Sequence, residues 1–115
     1  MLCLNESITC SQMTDRHEFA PWGLNGGTEG GLGATLVQKA GGESWETMCE
    51  AYGKASSSRY SNVVIRRGDR VRLVTPGGGG YGDPKARAPE AVAEDVNEGY
   101  VSADTARRYY DYQGA

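Results

Sequence analysis

The stretch RYSNVVIRRGDRVRLVTPGGGGYGDP, Arg59 to Pro84, decides how this chain is read. Two β-rich runs lie either side of Arg67-Gly68-Asp69, and Gly-Asp between such runs is a tight-turn signal. A β-hairpin over Tyr60 to Thr75 is therefore expected, with Val63, Ile65, Val71 and Leu73 as its apolar positions. The run then meets Pro76 and four consecutive glycines, Gly77, Gly78, Gly79 and Gly80, before Tyr81-Gly82-Asp83-Pro84. A segment without Cβ atoms either lets backbones approach closely or offers bare N–H groups to a ligand.

Gly77, Gly79 and Gly82 satisfy the GxGxxG spacing of a dinucleotide-binding turn. That reading fails on context: Pro84 interrupts the route into a helix, and the residues after it read as helices rather than a second parallel strand with a ribose-binding acid. The phosphate-gripping pattern GxxxxGK[ST] is absent. Close packing is the stronger expectation, because no charged or hydroxyl side chain lies between Gly77 and Gly80 to orient a ligand. Pro76, Asp83 and Pro84 clamp the run at both ends, and Asp83 reads as a turn residue rather than a catalytic acid. A valine at Gly78 or Gly79 should then disturb folding or assembly, whereas a ligand cradle would tolerate it.

Upstream, ESITCSQMTDRHEF (Glu6 to Phe19) alternates β-branched and polar residues and suits a strand with one wet face, ending before Pro21. PWGLNGGTEGGLGATLVQ carries six glycines between Gly23 and Gly33, so extended or looping backbone is expected, then a short strand over Ala34 to Ala40. GGESWETMCEAYGKASSSRYS is polar, broken by small residues, and assigned no element. Downstream, APEAVAEDVNEGY predicts a helix with Pro89 at its first position, Val92 and Val96 on one face extended by Tyr100, and Gly99 as a stop. Ser102 is the expected N-cap of a last helix, with Asp104 in its first turn and Arg107 and Arg108 near its end. The expected fold is α+β: mainly β with glycine-rich, polyproline-like loops and two short C-terminal helices. Residues 1–87 form the hairpin and glycine-rich region and 88–115 a helical tail, together one incomplete domain.

A chain of 115 residues is one modest domain. Only 38% of it is hydrophobic, with one Phe and seven Tyr, and its 17 glycines are roughly twice the usual share, so it is expected to lean on a partner. The net charge of -3 and scattered basic residues argue against a nucleic-acid surface. Cys3, Cys10 and Cys49 have no metal-binding spacing and are an odd number for disulfides, so free thiols in a cytoplasmic protein are expected. MLCLNESITC has neither a basic start nor a long apolar run, which supports no secretory signal and no membrane span. The single histidine, His17, reads as a surface or hydrogen-bonding residue on a strand; one imidazole cannot assemble a catalytic metal centre, and no nucleophile has an ordered partner. No catalytic, cofactor-binding or metal-binding residue is therefore expected in this chain.

DRHEFAPWGLNGGTEGG at Asp15 to Gly31 and RRGDRVRLVTPGGGGYGDP at Arg66 to Pro84, followed by PEAVAEDVNEGYVSADTARRYY, form a constellation that resembles the C-terminal end of the hydantoinase B/oxoprolinase family. The first motif holds Asp15, Arg16, Pro21, Trp22, Gly23, Gly26 and Gly27. The second runs from Gly68 and Asp69 through Pro76 to Pro84, and all these positions are expected to be structural. The resemblance implies the terminal piece of a B-type subunit, from truncation, a split gene or an internal start at Met1. It implies a cytoplasmic enzyme that couples ATP hydrolysis to opening a cyclic amide or carboxylating a ketone. ATP would be bound by a separate A-type subunit, and a divalent metal by His and Asp residues far upstream. The implied partners are the remainder of the B-type subunit and that A-type subunit. Alone, the chain is expected to show no ATPase or amidase activity. A non-catalytic assembly module and a small-ligand module built on the glycine loop stand as alternatives.

Overall fold

The computed structural model describes residues 1–114, and its chain divides into two compact units. The first takes residues 1–21 and 31–77; the second takes 22–30 and the chain from 78 onward. Together they are a mixed α/β chain of short strands and short helices.

In the first unit, β1 (Ser7–Met13) alternates as expected: Ile8, Cys10 and Gln12 turn inward while Ser7, Thr9, Ser11 and Met13 are exposed. The strand stops at Met13, so His17 lies beyond it, in the following loop rather than on a strand. β1 pairs antiparallel with β4 (Arg59–Arg66), setting Ile8 opposite Ile65, Cys10 opposite Val63 and Gln12 opposite Tyr60. A second sheet has the order β3-β2-β5, from Glu46–Thr47, Ala34–Gln38 and Arg70–Val74. Val37, Tyr60, Val63, Ile65 and Val71 from both sheets share one core with Cys3 and Met48.

The expected hairpin is therefore corrected. β4 and β5 are joined by a tight turn but belong to different sheets, β4 beside β1 and β5 beside β2. The turn itself shows why. Gly68 sits at φ 88 and Asp69 N–H donates to Arg66 O at 3.0 Å, closing the turn. The Gly68 N–H is given to Cys3 O and Asp69 O accepts the Cys3 N–H, both at 2.9 Å. Asp69 is buried; one carboxylate oxygen accepts the Ala40 N–H at 2.9 Å and the other the Arg66 N–H at 3.0 Å. These bonds tie the turn to neighbouring segments and direct β5 away from β4. Leu73, expected to be inward, is 63% exposed, and Val71 is the buried residue of β5.

Residues 41–61, assigned no element, contain β3, a one-turn helix, α1 (Met48–Tyr52), and the first residues of β4. Thr47 and Glu50 make a capping box, Gly53 ends the helix at φ 63, and Met48 is fully buried.

In the second unit a 3-10 turn (Pro84–Ala86) precedes α2 (Pro89–Asn97) and α3 (Ala103–Tyr110). Pro89 opens α2, Val92 is buried, Val96 is half-buried and Gly99 follows the helix end at φ 78. Tyr100 does not continue the apolar stripe: the left-handed Gly99 turns the chain off the helix path, leaving Tyr100 78% exposed. The Ser102 hydroxyl accepts the Thr105 N–H, and Arg107 pairs with Asp104 at 2.9 Å, as the helix ends predict. No helix among the described residues is long and apolar enough to cross a membrane.

Candidate functional site

The inward face of β1 ends in a polar network. The Tyr60 phenol donates to Gln12 Oε1, and Cys10 Sγ lies 3.9 Å from the same phenol. Burial first, and the Cys10 thiol second, push the Tyr60 pKa above the ordinary tyrosine range. Gln12 Nε2 donates to Thr35 Oγ1 at 2.8 Å and to Thr14 Oγ1 at 3.2 Å. Thr14 Oγ1 in turn donates to Ser58 O at 3.0 Å and lies 3.1 Å from His17 Nε2. A carbonyl can only accept, so the one threonine proton goes to Ser58, and His17 must donate from Nε2 to the Thr14 oxygen.

His17 stands at the edge of an open cleft of about 510 Å³, lined by Asp15, Arg16, Glu18, Phe19, Ser56, Ser58 and Arg59. Arg59 pairs with Asp15, an exposed ion pair contributing at most about 1 kcal/mol. Arg16 holds φ 63, an uncommon conformation for a long side chain, and its carbonyl accepts the Gly33 N–H at 2.8 Å. Gly33 lies against the His17 ring: a Cβ there would come within 3.1 Å of Cδ2 and 3.2 Å of Pro76 Cδ. Among the described residues no group of three or more His, Cys, Asp or Glu is placed to hold a metal ion. The motif residues from Asp15 to His17 thus shape a polar cleft, and through His17 and Ser58 it meets the network of Thr14, Gln12, Thr35 and Tyr60, which sequence reasoning did not single out. Gln12 had a usable signal, a polar residue in the inward phase of an alternating strand.

In the second unit the other motif residues meet through backbone. Leu24 N–H donates to Gly80 O at 2.8 Å, Gly80 N–H to Thr28 O at 2.8 Å and Gly82 N–H to Leu24 O at 2.9 Å. A turn from Leu24 to Gly27, with Asn25 at φ 48 and Gly26 at φ 87, reverses the chain as Asn-Gly turns do. Three segments are thus nested. A Cβ on Gly23 would fall 2.0 Å from Gly27 O, one on Gly27 2.1 Å from Gly80 O, and one on Gly79 1.8 Å from Trp22 O. At Gly78 a Cβ meets nothing within 4 Å, so the crowding expected there is absent. Nor does any residue from Gly77 to Gly80 take a positive φ; in this stretch that falls to Gly82 at φ 77. Gly77 bonds elsewhere, its N–H to Gly31 O at 2.9 Å in the first unit. Asp83 accepts the Lys85 N–H at 2.9 Å and so caps the 3-10 turn begun by Pro84.

Comparison with known proteins finds a match of residues 1–84 to the family model described as Hydantoinase B/oxoprolinase. An uncharacterized protein of Methanocaldococcus jannaschii is 35% identical over 87% of this chain and 16% of its own length. A putative D-/L-hydantoinase B-type subunit of Pseudomonas sp. is 33% identical over 80% of this chain and 14% of its own. The caprolactamase beta subunit of Pseudomonas jessenii is 56% identical over 42% of this chain and 8% of its own. The chain thus spans at most 16% of the length of these relatives. No solved structure matches.

Proposed function

The chain belongs to the hydantoinase B/oxoprolinase family, and on that footing we propose that it is the C-terminal portion of a B-type subunit of an ATP-dependent cyclic-amide hydrolase. It contributes fold and subunit packing rather than a complete active site. The observation that carries this reading is the pair of coverages: 80% of this chain aligns with 14% of a B-type hydantoinase subunit. The nested glycine segments support it, since backbones that leave no room for a Cβ serve close packing. In this reading they act as polyproline-like struts.

The resemblance brings ATP and a divalent metal to the complete enzyme. The described residues do not fit the metal, because His17 is the chain's one histidine and no three donors come together. The metal therefore belongs with the remainder of the B-type subunit and the nucleotide with an A-type partner. We place the assembly in the cytoplasm, where ATP is at hand and where Cys3, Cys10 and Cys49 remain free thiols.

The test is reconstitution. The chain is co-expressed with an A-type subunit and a B-type body from the matched Pseudomonas hydantoinase, cut to lack the aligned segment. Hydrolysis of a hydantoin, a caprolactam or 5-oxoproline is then followed with and without ATP. Turnover is expected only when all three polypeptides and ATP are present. Turnover by the purified chain alone, or by the other two polypeptides without it, would refute the reading.

A further inference from the structure

The second unit displays large apolar side chains on its glycine-nested segments: Trp22 is 68% exposed, Leu24 56% and Tyr81 78%. Leu24 and Tyr81 are partners in a parallel bridge, and residues so paired send their side chains to the same side of the backbone. The Asn25 amide donates to the Tyr81 hydroxyl at 2.8 Å and fixes the ring outward. These side chains have no interior to fold into, because the space between the segments is taken up by backbone that would touch even a Cβ at Gly23, Gly27 or Gly79. Burial can come only from outside. Rigid aromatic groups lose little entropy on docking and dominate interface energetics.

We propose that Leu24 and Tyr81 are the surface on which the remainder of the B-type subunit docks. The inference rests on the proposed function and names the contact within it. Two observations choose this occupant. The family match ends at residue 84, so it includes both strips that carry the patch and stops before α2 and α3. What covers the patch should then be something the matched proteins share, and each of those relatives continues far beyond the aligned part in its own polypeptide. The chemistry agrees: WGLNGGT at Trp22 to Thr28 and PGGGGYG at Pro76 to Gly82 carry no Asp, Glu, Lys or Arg, so the complementary face is apolar and uncharged.

The experiment is capture of the full chain by the tagged Pseudomonas B-type body lacking the aligned segment, using wild type, Leu24→Ala, Tyr81→Ala and Tyr100→Ala. Tyr100 is as exposed as Tyr81 but lies after α2, outside the family-model match that ends at residue 84. Leu24→Ala and Tyr81→Ala are expected to weaken capture at least tenfold with melting unchanged, while Tyr100→Ala is captured as wild type. Capture of both patch variants as strongly as wild type overturns the docking surface and leaves the functional reading standing. Failure of the body to capture even the wild-type chain overturns the functional reading itself. If a patch variant melts early, hydroxyl-radical footprinting of the wild-type complex decides instead. Shielding of Leu24 and Tyr81 on adding the body supports the proposal, and unchanged labelling of both overturns it.

Discussion

Replacing Gly79 with valine should loosen the nested segments of the second unit, and the size of the effect can be worked out. A Cβ at residue 79 would stand 1.8 Å from Trp22 O, 2.5 Å from Trp22 C and 3.0 Å from Gly23 N. All three are backbone atoms, so no side chain can swing aside. Gly79 and its neighbours are solvent-exposed, so relief comes by the strip lifting away. That movement breaks the Leu24–Gly80, Gly80–Thr28 and Gly82–Leu24 hydrogen bonds. At about 0.5–1.5 kcal/mol net for each, and towards the low end at an exposed site, the loss is about 2–3 kcal/mol. That corresponds to roughly 8–12 °C in melting temperature for a chain of this size. Amide exchange read by NMR gives the local answer: Leu24, Gly80 and Gly82 should lose protection first. Gly78→Ala is the control, because its Cβ meets nothing and its φ is not left-handed; it should be neutral or stabilise by up to about 1 kcal/mol. Unchanged exchange in Gly79→Val, or equal damage from Gly78→Ala, would refute the reasoning.

Two further outcomes follow from the first unit. Asp69→Ala leaves the Ala40 and Arg66 N–H groups without their acceptor and should cost about 2–4 kcal/mol, with Asp69→Asn milder; a denaturant midpoint unmoved by Asp69→Ala would count against the account of the turn. The Glu50 pKa is lowered by the Thr47 N–H first and the Thr47 hydroxyl second, so its contribution to the start of α1 is present above the ordinary glutamate range. That contribution is lost as pH falls through the depressed folded value. The Thr47 amide resonance should titrate accordingly and stop doing so in Glu50→Gln, and a Thr47 resonance indifferent to pH in the native chain would contradict it.

Where local chemistry decides structure, the sequence was legible. Pro89, Gly99 and Ser102 mark the ends of α2 and α3, and the alternation in SITCSQM gives β1 its two faces. Pairing was not legible, because Arg67-Gly68-Asp69 reads as a hairpin turn in isolation. Only the buried Asp69 carboxylate, reaching Ala40 as well as Arg66, shows that the turn serves two sheets. α1 was missed for a different reason: one turn of helix has no periodicity, although Thr47, Glu50 and Gly53 spelled out its two ends. The polar network beside the cleft is built from long-range contacts, such as Gln12 to Thr35 and Thr14 to Ser58, which no spacing rule reaches. Within the glycine run, composition could not distinguish Gly79, which abuts a backbone, from Gly78, which faces open space.

The divorce of β4 from β5 also bears on how the chain finds its fold. A true hairpin would let the two strands zip from their turn within microseconds. Here Met13 meets Arg59 and Ala34 meets Val74, so apart from the short β2–β3 ladder every sheet contact waits on a large loop being closed. Closing such loops costs entropy before any contact repays it, and domains of this topology fold slowly for that reason. On the ribosome the β1–β4 ladder cannot be completed until Arg66 has left the exit tunnel, nor the β2–β5 ladder until Val74 has. Until then the apolar faces of β1 and β2 stand open to chaperones or to another nascent strand.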